Sequence, residues 1–347
     1  MKTTSPKDLR IVLWIGAGRP RADYVSDVDL RRLENLGDVR IIETRGRKFT
    51  EEDVVRESRG VHAVISTWGS PTYKDDVLAA CPDLRFFGRV GGSVRGYIGD
   101  SAWARGIAVV TAVDAQALGM AEQTLANMLA VLHRLPHHVL RQAGNEVLTH
   151  DDHNQGLPHA MLLERRVGLI GFGAIARHAA RMLAVFRARV SAYDPFVSDA
   201  VLAEYGVTRA MSVEALCADA DVVSVHAARI PETRGILSRT AIAKLRPGAA
   251  VINTAFGDLM DLTAIEERVA DGSLYLAVDN LDLLGEENRD KVARIRRSPC
   301  CLITPATFPN TDGVALMGRQ VVGELEHLVR GEPLVHAIRR EALATRA

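Results

Sequence analysis

The chain has 347 residues, which is long for one hydrophobic core and fits two domains of ordinary size. Its 43 basic and 43 acidic residues cancel, so no long-range field favours nucleic acid or an anionic membrane, and small molecules and other subunits are the expected partners. The four cysteines form no C-x-x-C pair and no apolar run reaches the roughly 18 residues of a membrane span, which predicts a reduced, cytoplasmic setting without a metal site.

Short β-rich runs alternate with helix-compatible stretches from Arg10 to about Ala112, in the order RIVLWI, VRIIET, AVIST, LRFFGRV and IAVVTA. This alternation predicts a parallel α/β sheet. The long helical pattern AQALGMAEQTLANMLAVLHRLP ends before Pro136 and can carry the chain into a second domain. A second α/β series runs from Arg166 to about Pro305, and the final helical pattern, GVALMGRQVVGELEHLVRG, is expected to pack on the first domain.

A dinucleotide-binding βαβ unit is predicted from RRVGLIGFGAIARHAARMLAVFRARVSAYDP. After the strand VGLIG, Gly171 permits a tight turn, Gly173 lets the backbone approach a pyrophosphate, and the small Ala176 allows close helix–strand packing. Asp194 ends the second strand, eighteen residues after Ala176, where its carboxylate can bind an adenosine ribose and repel a 2′-phosphate. The cofactor is therefore predicted to be NAD rather than NADP.

The segment WIGAGRPR offers a second glycine pair after a strand, Gly16-x-Gly18. Its third position is Arg21, which would obstruct close helix packing, and Pro20 interrupts the turn. We interpret this segment as a loop of the first domain.

Several segments together resemble the D-isomer-specific 2-hydroxyacid dehydrogenases: AEQTLANMLA, VGLIGFGAIA, ADVVSVHAARIPETRGIL, KLRPGAAVINTAFGDLMD, AVDN and ITPATFPNTDG. The resemblance implies an α/β protein of two doubly wound parallel-sheet (Rossmann-like) domains with a cleft between them. Residues 1–115 and 313–347 would form a discontinuous substrate domain, and residues 116–312 an NAD-binding domain. A homodimer built mainly from the NAD-binding domains is also implied.

In that family a hydride moves between NAD and C2 of a hydroxy or keto acid, and three side chains support the transfer. An Arg grips the carboxylate and carbonyl, a His transfers the hydroxyl proton, and a Glu orients that His. The Arg position of the turn NTAFG is Phe256 here, the Glu position five residues after Asp279 is Leu284, and the His position after Thr304-Pro305 is Ala306. The resemblance thus implies an altered catalytic site.

The Leu284 alignment leaves alternatives open, because a shifted loop could present Asp282, Glu286 or Glu287 instead. Since Phe256 is bulky and apolar, its surroundings are predicted to exclude water.

Substitutes for the missing groups are sought in the first domain, in the loop GRVGGSVRGYIG. Backbone N–H groups at Gly92, Ser93 and Val94 could hold a carboxylate, and Arg89 or Arg95 could bind an anion bidentately. A loop Arg is, however, more often a solvated or salt-bridged residue than an anion-binding one.

Trp68 could line a pocket for a larger or aromatic substrate or could simply pack, whereas Tyr73 and Lys74 are expected on the surface. His226 matches a family position beside the cofactor rather than the proton donor, and a structural role is expected for it. The predicted cofactor-binding residues are Gly171, Gly173, Ala174, Ile175, Ala176, Asp194, His226, Thr254, Ala255, Phe256 and Asp279. The candidate catalytic residues are Arg89, Ser93, Arg95, Phe256 and Trp68.

Three functions stay open at this point. The first is an NAD-dependent oxidoreductase of altered mechanism, acting on a carbonyl or hydroxyl compound other than a simple 2-hydroxy acid. The second is a non-catalytic NAD-binding sensor or scaffold. The third is a non-redox enzyme that retains bound NAD.

Overall fold

A computed structural model describes residues 9–16, 18–144, 160–279, 281–305 and 310–344. Ala306, the residue at the family's His position, lies outside these ranges, as does most of the segment that follows the predicted linking helix. The chain divides into two compact units, Met1–Gln116 with Pro309–Ala347, and Ala117–Phe308. The functional roles expected for the two parts, substrate binding and NAD binding, stay predictions at this point.

Unit 1 is built on a five-stranded sheet of parallel strands in the order β2-β1-β3-β4-β5. Its strands are β1 (Leu9–Ile15), β2 (Gly37–Glu43), β3 (Ala63–Ser66), β4 (Phe86–Arg89) and β5 (Ala108–Thr111). Its helices are α1 (Arg21–Tyr24), α2 (Asp27–Glu34), α3 (Glu51–Ser58), α4 (Asp75–Ala79) and α5 (Ser101–Ala104). All five strands predicted for the first domain are thereby confirmed.

The interior of unit 1 contains a polar contact among large aromatic side chains. Trp14 and Tyr73 are fully buried, and the Trp14 Nε1–H donates to the Tyr73 hydroxyl over 2.8 Å. That hydroxyl also lies 2.6 Å from Ser58 Oγ, so its polar atom is satisfied inside the core. The expectation that Tyr73 lies on the surface is wrong, because partners from β1 and α3 remove the cost of burying its hydroxyl.

Unit 2 is built on a seven-stranded parallel sheet in the order β12-β11-β10-β9-β6-β7-β8. Its strands are β6 (Arg166–Ile170), β7 (Arg189–Tyr193), β8 (Thr208–Arg209), β9 (Val222–Val225), β10 (Ala249–Asn253), β11 (Leu274–Asp279) and β12 (Cys301–Thr304). The chain runs outward from β6 to β8 and then returns to β9 on the other side of β6. The sheet therefore has a switch point between β6 and β9.

The long helix α6 (Val113–Leu132) crosses the boundary between the two units along the chain. The remaining helices of unit 2 are α7 (Leu135–Ala143), α8 (Ala174–Val185), α9 (Asp199–Glu204), α10 (Val213–Asp219), α11 (Arg239–Lys244), α12 (Leu262–Ala270) and α13 (Arg289–Arg296). The last helix, α14 (Thr311–Arg330), packs against α1, α2 and β4 of unit 1.

Two apolar clusters form the core of unit 2, and each contains side chains of the central strands. Strands β6, β9, β10 and β11 are buried almost throughout, as expected for parallel strands whose two faces are both covered. Within the described ranges, no helix is long and apolar enough to cross a membrane.

Candidate functional site

The predicted cofactor residues of unit 2 gather at the carboxyl ends of five parallel strands. Gly171 follows β6, Asp194 follows β7, His226 follows β9, Thr254 follows β10, and Asp279 ends β11. In open α/β sheets this edge, next to the switch point, is where ligands bind. The fold thus brings these residues together at one edge of the sheet, although they are spread over more than 100 positions of the sequence.

The glycine-rich turn after β6 has the backbone that a dinucleotide site requires. Gly171 has φ +88°, and a methyl group there would come within 2.8 Å of the Ala227 nitrogen, so only glycine fits. Gly173 caps α8 without any side-chain hydrogen bond, and nothing lies within 4 Å of where its Cβ would stand. The N–H groups at Ala174 and Ile175 therefore begin an uncapped twelve-residue helix, which suits an anionic pyrophosphate.

Two side chains stabilise this turn: Ala176 by packing and Asp194 by hydrogen bonds. Ala176 is fully buried in the core cluster beneath α8, where a larger side chain would push the helix off the sheet. Asp194 accepts a hydrogen bond from the Phe172 N–H over 2.8 Å and another from the Phe196 N–H over 2.9 Å. Each carboxylate oxygen keeps further acceptor capacity, so ribose hydroxyls could still bind.

His226 follows β9 and is partly buried. Its Nε2 is 2.9 Å from Ser224 Oγ, whereas its buried Nδ1 has no hydrogen-bond partner among the described residues. Burial lowers the pKa of His226 to about 4, so the ring is neutral at pH 7. A neutral imidazole with one open nitrogen could hydrogen-bond a ligand but supplies no positive charge.

Asp279, at the end of β11, is also buried, and burial raises the pKa of its carboxyl above the usual range. The Thr304 hydroxyl donates to Asp279 Oδ1. This contact joins the carboxyl ends of the neighbouring strands β11 and β12.

The turn after β10 keeps its shape through the side chain of Asn253. Asn253 Oδ1 accepts from the Ala255 N–H over 3.0 Å, and its Nδ2 donates to the Phe256 carbonyl over 2.9 Å. Thr254 is buried, with its hydroxyl 3.0 Å from that of Thr124. The Phe256 side chain remains 44% exposed, so the expectation that its surroundings exclude water is wrong.

Leu284 contacts the same turn. A methyl group on Gly257 would come within 2.8 Å of Leu284 Cδ1, so the leucine fills the space beside residue 257. Of the alternatives considered for this position, Glu286 is exposed and pairs with Arg289 over 2.6 Å, and Glu287 is also exposed. The side chain of Asp282 lies outside the described residues.

A cation that the sequence reasoning missed lies against Phe256. The guanidinium carbon of Arg229 is 5.0 Å from the centre of the Phe256 ring, and Arg229 Nε donates to Asp258 Oδ2 over 2.9 Å. Arg229 and Phe256 are 27 positions apart and follow different strands. No local sequence pattern predicts this contact. It follows from the register of β9 and β10, in which Val225 pairs with Asn253.

In unit 1, Arg89 is an internal residue rather than part of an open loop. It ends β4 at 2% exposure, and its Nε donates to the Ser93 carbonyl over 2.9 Å. Its Nη1 donates to Ser66 Oγ and to the Thr67 carbonyl, over 3.1 and 2.7 Å. Its guanidinium also lies 3.3 Å from the ring centre of Tyr97, and burial lowers the pKa of Arg89.

These contacts occupy Arg89 with neutral acceptors, and none of its hydrogen bonds to described residues involves a carboxylate. At 2% exposure Arg89 is not solvated, so that alternative is wrong, and among the described residues it forms no ion pair. A buried cation without a counterion is costly, and an anionic ligand nearby would reduce that cost. The contact with the Ser93 carbonyl also sets the shape of the loop.

The other candidates of unit 1 lie around the same loop. Ser93 Oγ accepts from the Arg95 N–H over 3.2 Å, and the exposed Arg95 donates through Nη2 to the Leu343 carbonyl. Trp68 follows β3 and is half-buried, with its ring centre 6.0 Å from that of Tyr24. All three keep some exposed surface that a ligand could meet, and Arg95 is the most exposed of them.

The glycine pair after β1 does not form a second nucleotide site. A methyl group on Gly16 would come within 1.5 Å of the Trp68 carbonyl oxygen, so the backbone there is closed off by β3 rather than open to a ligand. The helix that follows Pro20 is α1, a single turn of four residues. The interpretation of this segment as a loop agrees with the structure.

A doubly wound parallel sheet with an uncapped glycine turn at its switch point defines the class of dinucleotide-binding domains. The sequence model for "D-isomer specific 2-hydroxyacid dehydrogenase, NAD binding domain" matches residues 125–307. This match covers more than half of the chain, so the protein belongs to the D-isomer-specific 2-hydroxyacid dehydrogenase family and carries its NAD-binding domain.

Curated relatives of this chain include D-3-phosphoglycerate dehydrogenases. The protein of that name from Mycobacterium bovis is 34% identical over 216 residues, which cover 62% of this chain and 39% of the relative. The one from Methanocaldococcus jannaschii is 27% identical over 265 residues, 76% of this chain and 48% of the relative. The matched region therefore spans less than half the length of these relatives.

Among solved structures, a phosphoglycerate oxidoreductase from Rhizobium etli superposes with a TM-score of 0.75 at 22% identity. The superposition covers 95% of this chain and 98% of the other. At this identity the similarity establishes the fold, two parallel-sheet α/β domains, and nothing about the substrate.

Proposed function

We propose that this protein is an NAD-dependent oxidoreductase whose substrate is a carbonyl or hydroxyl compound other than a simple 2-hydroxy acid. One observation carries the proposal: the cofactor residues at the five strand ends are intact, whereas the turn after β10 presents Phe256, with Leu284 packed beside it. The cofactor function is retained and the catalytic set is altered.

Two features support the alignment on which the altered catalytic set depends. The Asn253 side chain holds the turn from both sides, so Phe256 occupies a defined position. Leu284 touches Gly257, so the residues at the family's Arg and Glu positions are neighbours in space, and both are apolar.

The proposed roles of the cofactor residues follow from their contacts. The first turn of α8 binds the pyrophosphate through N–H groups of Ala174 and Ile175, and Asp194 accepts hydrogen bonds from the adenosine ribose. When bound, NAD supplies the hydride-transferring group. His226, Thr254, Ala255 and the other residues at the carboxyl edge of the sheet orient the nicotinamide end.

In unit 1 we propose that the Gly92–Val94 loop binds a polar group of the substrate through backbone N–H groups. Arg89 supports this role in two ways, because it fixes the loop through the Ser93 carbonyl and adds a positive potential beneath it. Trp68 and Arg95 are proposed as contacts for the rest of the substrate.

The test is a turnover assay that follows NADH absorbance with a panel of carbonyl compounds. Pyruvate, glyoxylate and hydroxypyruvate should be reduced very slowly, because losing an acid–base residue typically costs about 10²–10⁴-fold in rate. At least one carbonyl compound with a larger substituent should be reduced faster. Turnover of the simple 2-keto acids at several per second contradicts the proposal.

A non-catalytic NAD-binding sensor or scaffold is the second candidate, and the apolar pair Phe256 and Leu284 is the observation that favours it. Tight NAD binding with no turnover of any panel compound, together with a specific protein partner, would support this candidate. A non-redox enzyme that retains NAD would instead transform a substrate without net change in NADH.

We also propose that the protein is a homodimer joined through its NAD-binding domains. Helix α7 supports this, because Leu135, Val139 and Leu140 are each at least half exposed and none of its residues is buried. Light scattering should give a dimer for the wild type and a monomer for Val139→Asp. Val185→Asp, at another exposed valine, is the matched control and should stay dimeric. The cytoplasmic setting stays a prediction from sequence.

A further inference from the structure

Three side chains beyond the ends of β9 and β10 form a cluster that the assigned roles do not use. Arg229 Nε and Nη2 both lie 2.9 Å from Asp258 Oδ2, and the Arg229 guanidinium carbon lies 5.0 Å from the centre of the Phe256 ring. We call Arg229, Phe256 and Asp258 the Arg229 cluster.

The strand register explains why these residues meet. Strands β9 and β10 are hydrogen-bonded neighbours, with Val225 opposite Asn253, so the segments that follow them leave the sheet side by side. Arg229 stands four residues after Val225 and Phe256 three after Asn253. The cluster therefore lies at the carboxyl edge of the sheet, on the β10 side of the switch point and away from Asp194 after β7.

The contacts orient the guanidinium and leave one edge of it open. Asp258 binds Nε and Nη2 through a single oxygen, and Nη1 makes no hydrogen bond to a side chain or backbone of the described ranges. Asp258 Oδ1 is buried without a hydrogen-bond partner among the described residues, so Asp258 holds the guanidinium through Oδ2 alone. Arg229 keeps 57% of its side-chain surface exposed, and Phe256 keeps 44% of its surface.

Stability alone gives a weak reason for this arrangement. An exposed Arg–Asp pair contributes little to stability, and so does a cation–π contact at an exposed site. An exposed phenylalanine on a charged turn adds little to the core. A guanidinium held in place, with a free edge and an apolar ring beneath it, is however well suited to a carboxylate attached to a planar or apolar carbon.

We propose that Arg229 binds the carboxylate of the substrate and that the exposed face of Phe256 contacts the apolar substituent next to it. The substrate class is then a 2-oxo or 2-hydroxy acid with an aryl or branched alkyl substituent. This inference rests on the proposed function and deepens it, because it places the missing cation on the neighbouring strand's loop. Arg229 would be a binding residue without proton chemistry.

The test uses the full-length protein saturated with NAD⁺, in which an oxo acid binds without being reduced. Phenylpyruvate is titrated by calorimetry into the wild type, Arg229→Met and Arg229→Lys. Arg239→Met is the matched control, because Arg239 is a similarly exposed arginine of the same unit that pairs with Glu267 over 2.7 Å. Affinity for NAD⁺ and melting temperature are measured for every variant first.

Arg229→Met should bind phenylpyruvate about 10–150-fold more weakly, the equivalent of one charge-assisted hydrogen bond. Arg229→Lys should fall between, since an ammonium keeps the charge but not the planar fork. NAD⁺ affinity should change less than twofold, and Arg239→Met should match the wild type.

Equal phenylpyruvate affinity in wild type and Arg229→Met would overturn the inference. So would a wild type that binds NAD⁺ but not phenylpyruvate, and in that case the proposed oxidoreductase function stands. A wild type that does not bind NAD⁺ at all removes the proposed function, and with it the inference.

Discussion

Replacing Asp194 with alanine should change the cofactor preference of the protein. The wild type should bind NAD more tightly than NADP, because we propose that the Asp194 carboxylate lies where a 2′-phosphate would have to bind. In Asp194→Ala the affinity for NAD should fall, whereas that for NADP should fall much less or rise. The ratio of the two dissociation constants is the quantity to measure.

The magnitude follows from the hydrogen bonds that the carboxylate can make. One or two bonds from ribose hydroxyls to a charged acceptor contribute about 1.5–3 kcal/mol each, so losing one weakens NAD by about 10–150-fold. The substitution also leaves the Phe172 N–H, now bonded to Asp194 over 2.8 Å, without its acceptor. That loss costs about 1–3 kcal/mol of stability, whereas the exposed Phe196 N–H can turn to water.

Calorimetric titration with each cofactor, alongside a melting curve, separates the two effects. Asp199→Ala is the matched control, because Asp199 is a nearby carboxylate on the surface that pairs with Arg209. It removes the same charge five residues further along the chain, so general electrostatics should affect both variants. The control should keep the cofactor ratio within twofold of the wild type.

Equal wild-type affinity for NAD and NADP would refute the role of Asp194. The same conclusion would follow if Asp199→Ala changed the ratio as much as Asp194→Ala, since the effect would then be one of net charge.

Two further outcomes follow from the same contacts. The pKa of His226 is lowered to about 4 from an ordinary 6.5, so unfolding takes up a proton between these pH values and the free energy of unfolding should rise by up to about 3 kcal/mol from pH 4 to 6.5. In His226→Gln the melting temperature should depend less on pH in this range, and an unchanged pH dependence would contradict a neutral His226 ring. The triple variant Phe256→Arg, Leu284→Glu, Ala306→His should fold with little loss of melting temperature, since Phe256 is half exposed. It should gain no 2-keto acid reductase activity, because the Arg229 guanidinium carbon already lies 5.0 Å from the centre of the Phe256 ring. Robust NADH-dependent reduction of pyruvate would contradict this prediction.

Local patterns in the sequence were sufficient for the strands and for the cofactor turn. Gly171 must adopt a positive φ and Gly173 must leave space, and both requirements appear as glycines at fixed spacing after an apolar strand. Asp194 was predicted in the same way, because it comes directly after the next strand. Each of these signals lies within a single βαβ unit.

Side-chain environments set by distant segments were not predictable. The sequence around Tyr73 predicts a surface residue, because nothing near it in the chain shows that Trp14 and Ser58 satisfy its hydroxyl. Arg89 reads as a loop cation, but its partners from β3 and the following loop enclose it. Arg229 carries no motif of its own, and only the adjacency of β9 and β10 brings it to Phe256.

The buried Trp14 belongs to a set of three tryptophans, with Trp68 and Trp103, that all lie in unit 1, whereas the glycine turn lies in unit 2. Tryptophan emission during denaturation is therefore an optical report on unit 1 alone, and circular dichroism reports on both units. Bound NAD should raise the midpoint of unit 2 by mass action. If NAD also raises the midpoint of tryptophan emission, the two units unfold cooperatively. If the emission midpoint stays fixed while the dichroism curve splits into two transitions, the units unfold independently.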